Sequence, residues 1–259
     1  MNGKKTFIFT IDDNIRFLKE LTENQPESLF DHPYARVLKE LYERFDVKIQ
    51  LNLFYETEMF TLAQMTERYR DEWAENAHWL KMSFHSRLEN VSPYEDSDYE
   101  EVYKDCQRVQ TEVLRFAGEE SLATTTTIHY CKMTSEGLCA LKNCGIKGLL
   151  GLYGTNENPS ESYQTSASDG AKLRNGEIVF EDGLALAGID IVLNSFTTSQ
   201  ILAQMQNLRN REIVKVMIHE QYFYSDYPLY QPDFQNKLVK TFAFLKENGF
   251  KSRFLEELI

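Results

Sequence analysis

Two adjacent carboxylates, Asp12 and Asp13, and three imidazoles, His85, His129 and His219, each stand just past a short run of β-forming residues: 6–11, 80–84, 124–128 and 214–218. Ionised neighbours such as Asp12 and Asp13 repel unless a cation or a hydrogen-bond donor sits between them, so one is read as a metal ligand and the other as a group that moves a proton. His85 is followed four residues later by Glu89, a spacing that brings imidazole and carboxylate to one side of a helical turn and suits zinc or a similar divalent ion. His129, flanked by Tyr130 and Cys131, and His219, followed by Glu220, either complete a metal site or donate a proton. The chemistry these groups share is metal-dependent hydrolysis. Each also has a plainer reading, as turn caps for the aspartates and backbone-bonded rim residues for the histidines.

Residues so far apart meet only if the fold brings their strand ends together. Strand and helix signals alternate along the chain: strands at 6–11, 48–55, 80–84, 124–128, 149–152, 189–196, 214–218 and around 252–256, with helices at 33–45, 62–79, 99–116, 135–143, 199–207 and 233–248. The third strand is followed by a polar loop holding Pro93 and Asp96 to Asp98. Residues 153–188 break the pattern with Gly, Ser, Asn and Asp; an Asn175-Gly176 turn there predicts a surface hairpin between 171–173 and 177–180. The expected fold is α/β, a distorted (β/α)7-8 barrel with a small inserted hairpin, spanning 1–259 as one domain. In such a barrel the carboxyl ends of all the strands open on one face.

At 259 residues with 42% hydrophobic content, the chain can bury one large core. A net charge of −12 argues against a nucleic-acid backbone or an anionic membrane as main partner and suits a neutral or cationic small substrate. No stretch approaches the roughly 20 apolar residues a membrane span needs, and the short basic start runs straight into a strand, so a cytoplasmic location is expected. The four cysteines show no CxxC spacing and are expected to be free thiols. Tyr55, Tyr130, Tyr222, Phe223 and Tyr224 fall at or past strand ends, where aromatic rings stack on sugars, and Glu56 and Asn52 could bond a polyol. The sequence does not fix the oligomeric state.

Thr10-Ile11-Asp12-Asp13, His85-Ser86 and Ile218-His219 together resemble, in order, the motifs of the polysaccharide deacetylase family of the NodB-homology type. The resemblance implies a distorted barrel, a saccharide substrate, and hydrolysis of an N- or O-acetyl group. It implies Asp12 as catalytic base, Asp13 and His85 as metal ligands, and His219 as general acid. The family's second metal-binding histidine is replaced here by Glu89, and its Arg- and Pro-containing motif has no match, the corresponding strand ending Ile128-His129-Tyr130. His129 is therefore expected as the third ligand, since imidazole is the lost donor type, with Glu89 as the other candidate. Glu89, Glu220, Glu56, Tyr130 and Tyr222 are expected to touch metal or substrate. Two other readings stand beside this one: a metal-free glycosidase pairing Asp12 with Glu56 or Glu220, and a degenerate barrel that binds a glycan without turnover.

Overall fold

The computed structural model describes residues 5–89 and 94–259; the predicted start at residues 1–4 and Pro93 of the predicted loop lie outside the described residues. β1 (Thr6–Asn14) is buried at every position, as a strand covered by helices on one face and closed by a barrel on the other must be. α1 (Arg16–Asn24) and α2 (Pro33–Phe45) lead to β2 (Ile49–Phe54), parallel to β1. A two-rung hairpin, β3 (Glu56–Thr57) with β4 (Phe60–Thr61), and α3 (Arg70–Asn76) precede β5 (Leu80–Ser86), parallel to β2. α4 (Tyr99–Phe116), β6 (Thr125–Thr126), α5 (Ser135–Asn143), β7 (Gly148–Gly151) and α6 (Ala167–Arg174) continue the alternation. β8 (Ile178–Glu181), β9 (Leu184–Gly188), β10 (Ile191–Val192), α7 (Thr198–Leu208), β11 (Ile213–His219), α8 (Phe234–Glu247) and β12 (Lys251–Ser252) complete it.

The barrel strands form two sheets that approach each other at two seams. β10, β11, β1, β2 and β5 make one parallel run; β6, β7 and β9 make another, with β8 antiparallel on β9. At one seam Leu122 bridges Met82 of β5, and the Ala123 N–H donates to the Met82 carbonyl at 2.8 Å. At the other the chain itself steps from β9 to β10, with Ile189 N–H bonded to Gly151 and Asp190 N–H to Lys215, each at 2.9 Å. This is the barrel the alternation predicts.

Side chains alternate along β1. Phe7 and Phe9 turn outward onto Phe242 of α8, with ring centroids 5.5 and 4.8 Å apart. Ile8 turns inward, where it clusters with Leu150 of β7, Ala187 of β9 and Leu255 near the C-terminus. Each such large apolar side chain contributes about 1.5–3 kcal/mol by leaving water.

Several predicted elements differ, each for a local reason. The helix expected at 62–79 shrinks to α3 because Arg115 takes the carbonyls of Leu62, Ala63 and Met65, which a continuous helix would need as acceptors. The strand at 124–128 forms ladder pairs only at Thr125–Thr126, and that at 252–256 only at Lys251–Ser252 before a 3₁₀ turn, Leu255–Glu257. The strand expected at 189–196 is two residues long, and 184–188, read as part of the irregular insertion, is the barrel strand β9. The hairpin expected between 171–173 and 177–180 does not form, because 171–173 lies in α6; a hairpin forms instead between β8 and β9, its turn Asp182-Gly183, both at positive φ (48° and 82°). Asn175-Gly176 instead closes α6: the N–H groups of residues 175, 176 and 177 return to carbonyls of Ala171, Lys172 and Leu173. α1 is an additional helix, with no side-chain cap of its own. All four cysteines are free. No helix among the described residues is long and apolar enough to cross a membrane.

Candidate active site

Consecutive residues of a strand face opposite sides, so Asp12 and Asp13 should diverge. They do not, because the β1–β2 register shifts between Ile11 and Asn14 and Asp13 takes φ 63°, a left-handed conformation that Asp tolerates better than most side chains. Both carboxylates therefore line one cavity of about 260 Å³. His85 at the end of β5, His129 after β6 and His219 at the end of β11 line it too, together with Glu89, Tyr130 and Tyr222. Eight of the predicted residues thus meet at one face of the barrel.

Asp13 Oδ1, His85 Nε2 and His129 Nδ1 converge: His85 lies 3.0 Å from Asp13 and 3.1 Å from His129, and His129 lies 3.4 Å from Asp13. Ligand atoms bound at about 2.0–2.1 Å in a tetrahedral zinc site lie about 3.3 Å from one another, so these separations are those of a ligand set. Among the described residues this is the one such group of His, Cys, Asp and Glu. The outer contacts fit the same purpose. His85 Nδ1 faces the Thr127 carbonyl, which fixes its proton there and leaves Nε2 as the free lone pair. Gln221 Nε2 donates to Asp13 Oδ2 at 2.6 Å and turns Oδ1 toward the two rings. His129 Nε2 and Gln221 Oε1 are buried without a partner. Burial opposes the charge on Asp13, yet bonds to His129 and His85 hold its carboxyl well below the usual carboxylate range. Burial lowers His129, which favours the neutral ring a cation needs. For His85, burial is outweighed by the charges of Asp12 and Asp13, which raise it. The residues present fit a divalent cation.

Asp12 lies outside this triangle. It pairs in register with His219 across β1 and β11 and accepts a 2.7 Å hydrogen bond from Asn52 Nδ2. Asn52 is itself oriented by Gln50, whose Nε2 donates to Asn52 Oδ1 at 2.8 Å, and Gln50 is anchored on Thr125 by a bond of the same length. Burial raises Asp12 above its ordinary value, while His85, His219 and Asn52 favour the carboxylate. His219 Nδ1 is held by Asn194 Oδ1 at 2.9 Å. Asn52 was noticed in the sequence only as a polyol contact; Gln221, Asn194 and Tyr227, another lining residue, were missed, because amides and rings reached through a loop have no spacing signature.

Two predicted residues sit elsewhere. Glu220 points away from the cavity and accepts from the backbone N–H groups of Ile15, Arg16 and Phe17, at 2.7, 3.0 and 2.8 Å, and from Tyr224 Oη at 3.1 Å. It caps α1, whose own N-cap residue, Ile15, has no side-chain acceptor. Burial pushes Glu220 up to about 7, against these four donors. Glu220→Ala strands all four and is expected to cost about 2–4 kcal/mol in chemical denaturation; an unchanged midpoint would show that water replaces the cap. Glu56 is also absent from the cavity lining and pairs with Arg87 Nε at 3.1 Å. The glycosidase reading thereby loses both of its partners for Asp12. Glu89 lines the cavity but stands outside the ligand triangle, raised by burial and by the charge of Asp13.

No protein-family model matches the chain, and no curated protein matches it. Solved structures do. A putative polysaccharide deacetylase from Mycobacterium smegmatis is similar over 100% of this chain and 90% of its own, with TM-score 0.61 and 12% identity. A 4-alpha-glucanotransferase from Thermococcus litoralis is similar over 98% of this chain and 40% of its own, with TM-score 0.62 and 12% identity. BA3943, a CE4 family pseudoenzyme from Bacillus anthracis, is similar over 100% of this chain and 66% of its own, with TM-score 0.53 and 12% identity. The chain has the fold of the CE4 polysaccharide deacetylases, as the order of its motifs implied. At these identities the likeness is one of fold.

Proposed function

We propose that this chain is a metal-dependent hydrolase that removes an N- or O-acetyl group from a saccharide. The observation that carries the reading is the convergence of Asp13, His85 and His129 beside an oriented aspartate, Asp12, and an oriented histidine, His219, in one cavity. Asp13, His85 and His129 would hold the cation, for which zinc suits the donor set. When bound, a divalent cation polarises an acyl oxygen and lowers the pKa of water.

The protein's own groups supply the proton transfers. Asp12 takes a proton from the attacking water as its oxygen adds to the acetyl carbon; Asn52 keeps the carboxylate turned toward that water. His219 gives a proton, from the ring nitrogen that Asn194 leaves free, to the departing nitrogen or oxygen as the tetrahedral species collapses to acetate. Tyr130, more than half exposed, lies beside His129, while Tyr222 and Tyr227 stack edge to face at 5.3 Å beside His219. These rings suit the faces of a sugar. Every charged side chain lining the cavity is a carboxylate or an imidazole, so a neutral or cationic saccharide is the favoured substrate. Four unpaired cysteines suit a reducing compartment, the cytoplasm.

The test is acetate release from acetylated glucosamine oligosaccharides and acetylated xylan by zinc-loaded protein, before and after chelation. Release that chelation abolishes and zinc restores is expected. Saccharide binding with no acetate under either condition would select a non-catalytic barrel.

A further inference from the structure

A second cavity, of about 250 Å³, shares no lining residue with the first. It is bounded by the segment after β7, by the ends of α6 and α7, and by the step from β9 to β10; Tyr153, Arg174, Gly188, Asp190 and Arg211 contribute to its wall. Two guanidinium groups meet here in a protein of net charge −12. The Arg174 side chain is 9% exposed; one of its terminal nitrogens donates to the Tyr153 carbonyl at 3.1 Å and stands 3.6 Å from Glu161. Arg211 Nη2 donates to the Arg174 carbonyl at 2.7 Å.

Each arginine has a donor left over. Arg174 Nε and Arg211 Nη1 are buried with no acceptor. Such N–H groups have lost water and gained nothing in return, and each belongs to a guanidinium side chain that borders the cavity. The nearby carboxylates are largely committed. Asp190 is held by Lys215, through Nζ at 3.1 Å and the backbone N–H at 2.8 Å, and Lys215 is fully buried. Glu157, the remaining carboxylate on the lining, is exposed. Arg211 is also fitted closely to its place: Gly176 has φ +94°, and a Cβ there would lie 2.4 Å from Arg211 Nη1.

We propose that this cavity binds a phosphate group, inorganic or carried on a small molecule, between Arg174 and Arg211. A guanidinium presents its donors as a planar fork that matches two oxygens of a phosphate, and two forks at one site suit a tetrahedral dianion better than a planar carboxylate. The site is independent of the acetyl-hydrolase reading, since neither arginine touches the first cavity.

The experiment is calorimetric titration of the full chain with inorganic phosphate, with methyl phosphate and with acetate, at matched ionic strength. Saturable binding of inorganic or methyl phosphate is expected, tighter than any acetate binding; whichever of the two binds more tightly identifies the source. Arg211→Gln and Arg174→Gln are expected to weaken phosphate at least tenfold, and His85→Ala to leave it unchanged. Arg211→Lys keeps the charge and the space while losing the fork, so it tests the same point if a glutamine variant fails to fold; it is expected to bind less tightly than the parent. No saturable phosphate binding by the parent, equal or tighter acetate binding, or arginine variants that bind as the parent does would overturn the proposal.

Discussion

Asp12→Asn is expected to lower kcat on an acetylated saccharide by about 10³-fold while leaving bound metal unchanged. The amide keeps the oxygen that accepts from Asn52 Nδ2, so the side chain has the same partner and nearly the same shape. What it loses is basicity. Asp12 is not among the three groups whose donor atoms converge, so the metal should stay. Steady-state kinetics read beside metal content separate the two effects: a falling kcat with constant metal assigns proton transfer to Asp12, whereas parallel loss of both would make it a ligand.

His219→Ala is expected to show a different signature, one that depends on the leaving group. An amine or sugar alkoxide departs poorly without a proton, so release from an N-acetyl or O-acetyl sugar should fall by about 10²–10⁴-fold. Nitrophenolate leaves without help, and hydrolysis of 4-nitrophenyl acetate should change far less. Asn194→Ala should move in the same direction by a smaller factor, because it frees the ring that Asn194 Oδ1 now orients. An equal loss on both substrates would place His219 in binding or in the metal site instead of in leaving-group protonation.

The barrel was legible because its strongest signals are local. β1, α2 and α4 carry continuous β-rich or helical-period patterns, and the structure places α2 and α4 at the predicted bounds. Elements sustained from a distance were not legible. α1 is capped by Glu220, about two hundred residues away, so no Ser, Thr or Asp marks its start. The loss of helix after Leu62 depends on Arg115 reaching across from α4. The Asp182-Gly183 turn was present in the sequence but was overshadowed by Asn175-Gly176, which satisfies the same composition rule while ending a helix.

At the site, residue type and strand-end position were enough to gather Asp12, Asp13, His85, His129 and His219, because in a barrel that position is the shared variable. They were not enough for Glu56 and Glu220, which occupy the same kind of position with their side chains turned elsewhere. Nor did they show how Asp12 and Asp13 face the same way, which depends on the bulge and on φ at Asp13. Asn52, fixed by Gln50 and Thr125, orients Asp12 with a neutral amide. Gln221 and Asn194 do the same for Asp13 and His219. Asp12, Asp13 and His219 are each steadied by an amide, which sequence patterns leave unmarked.

The proposed metal site depends most on His129 as a ligand in place of Glu89. The most direct measurement is the zinc content of purified, zinc-equilibrated parent protein beside His129→Ala and Glu89→Gln. One zinc per chain in the parent and in Glu89→Gln, with loss in His129→Ala, is the predicted result. Zinc retained by His129→Ala and lost from Glu89→Gln would contradict the ligand set, and a parent that binds no zinc would contradict the metal-dependent reading altogether.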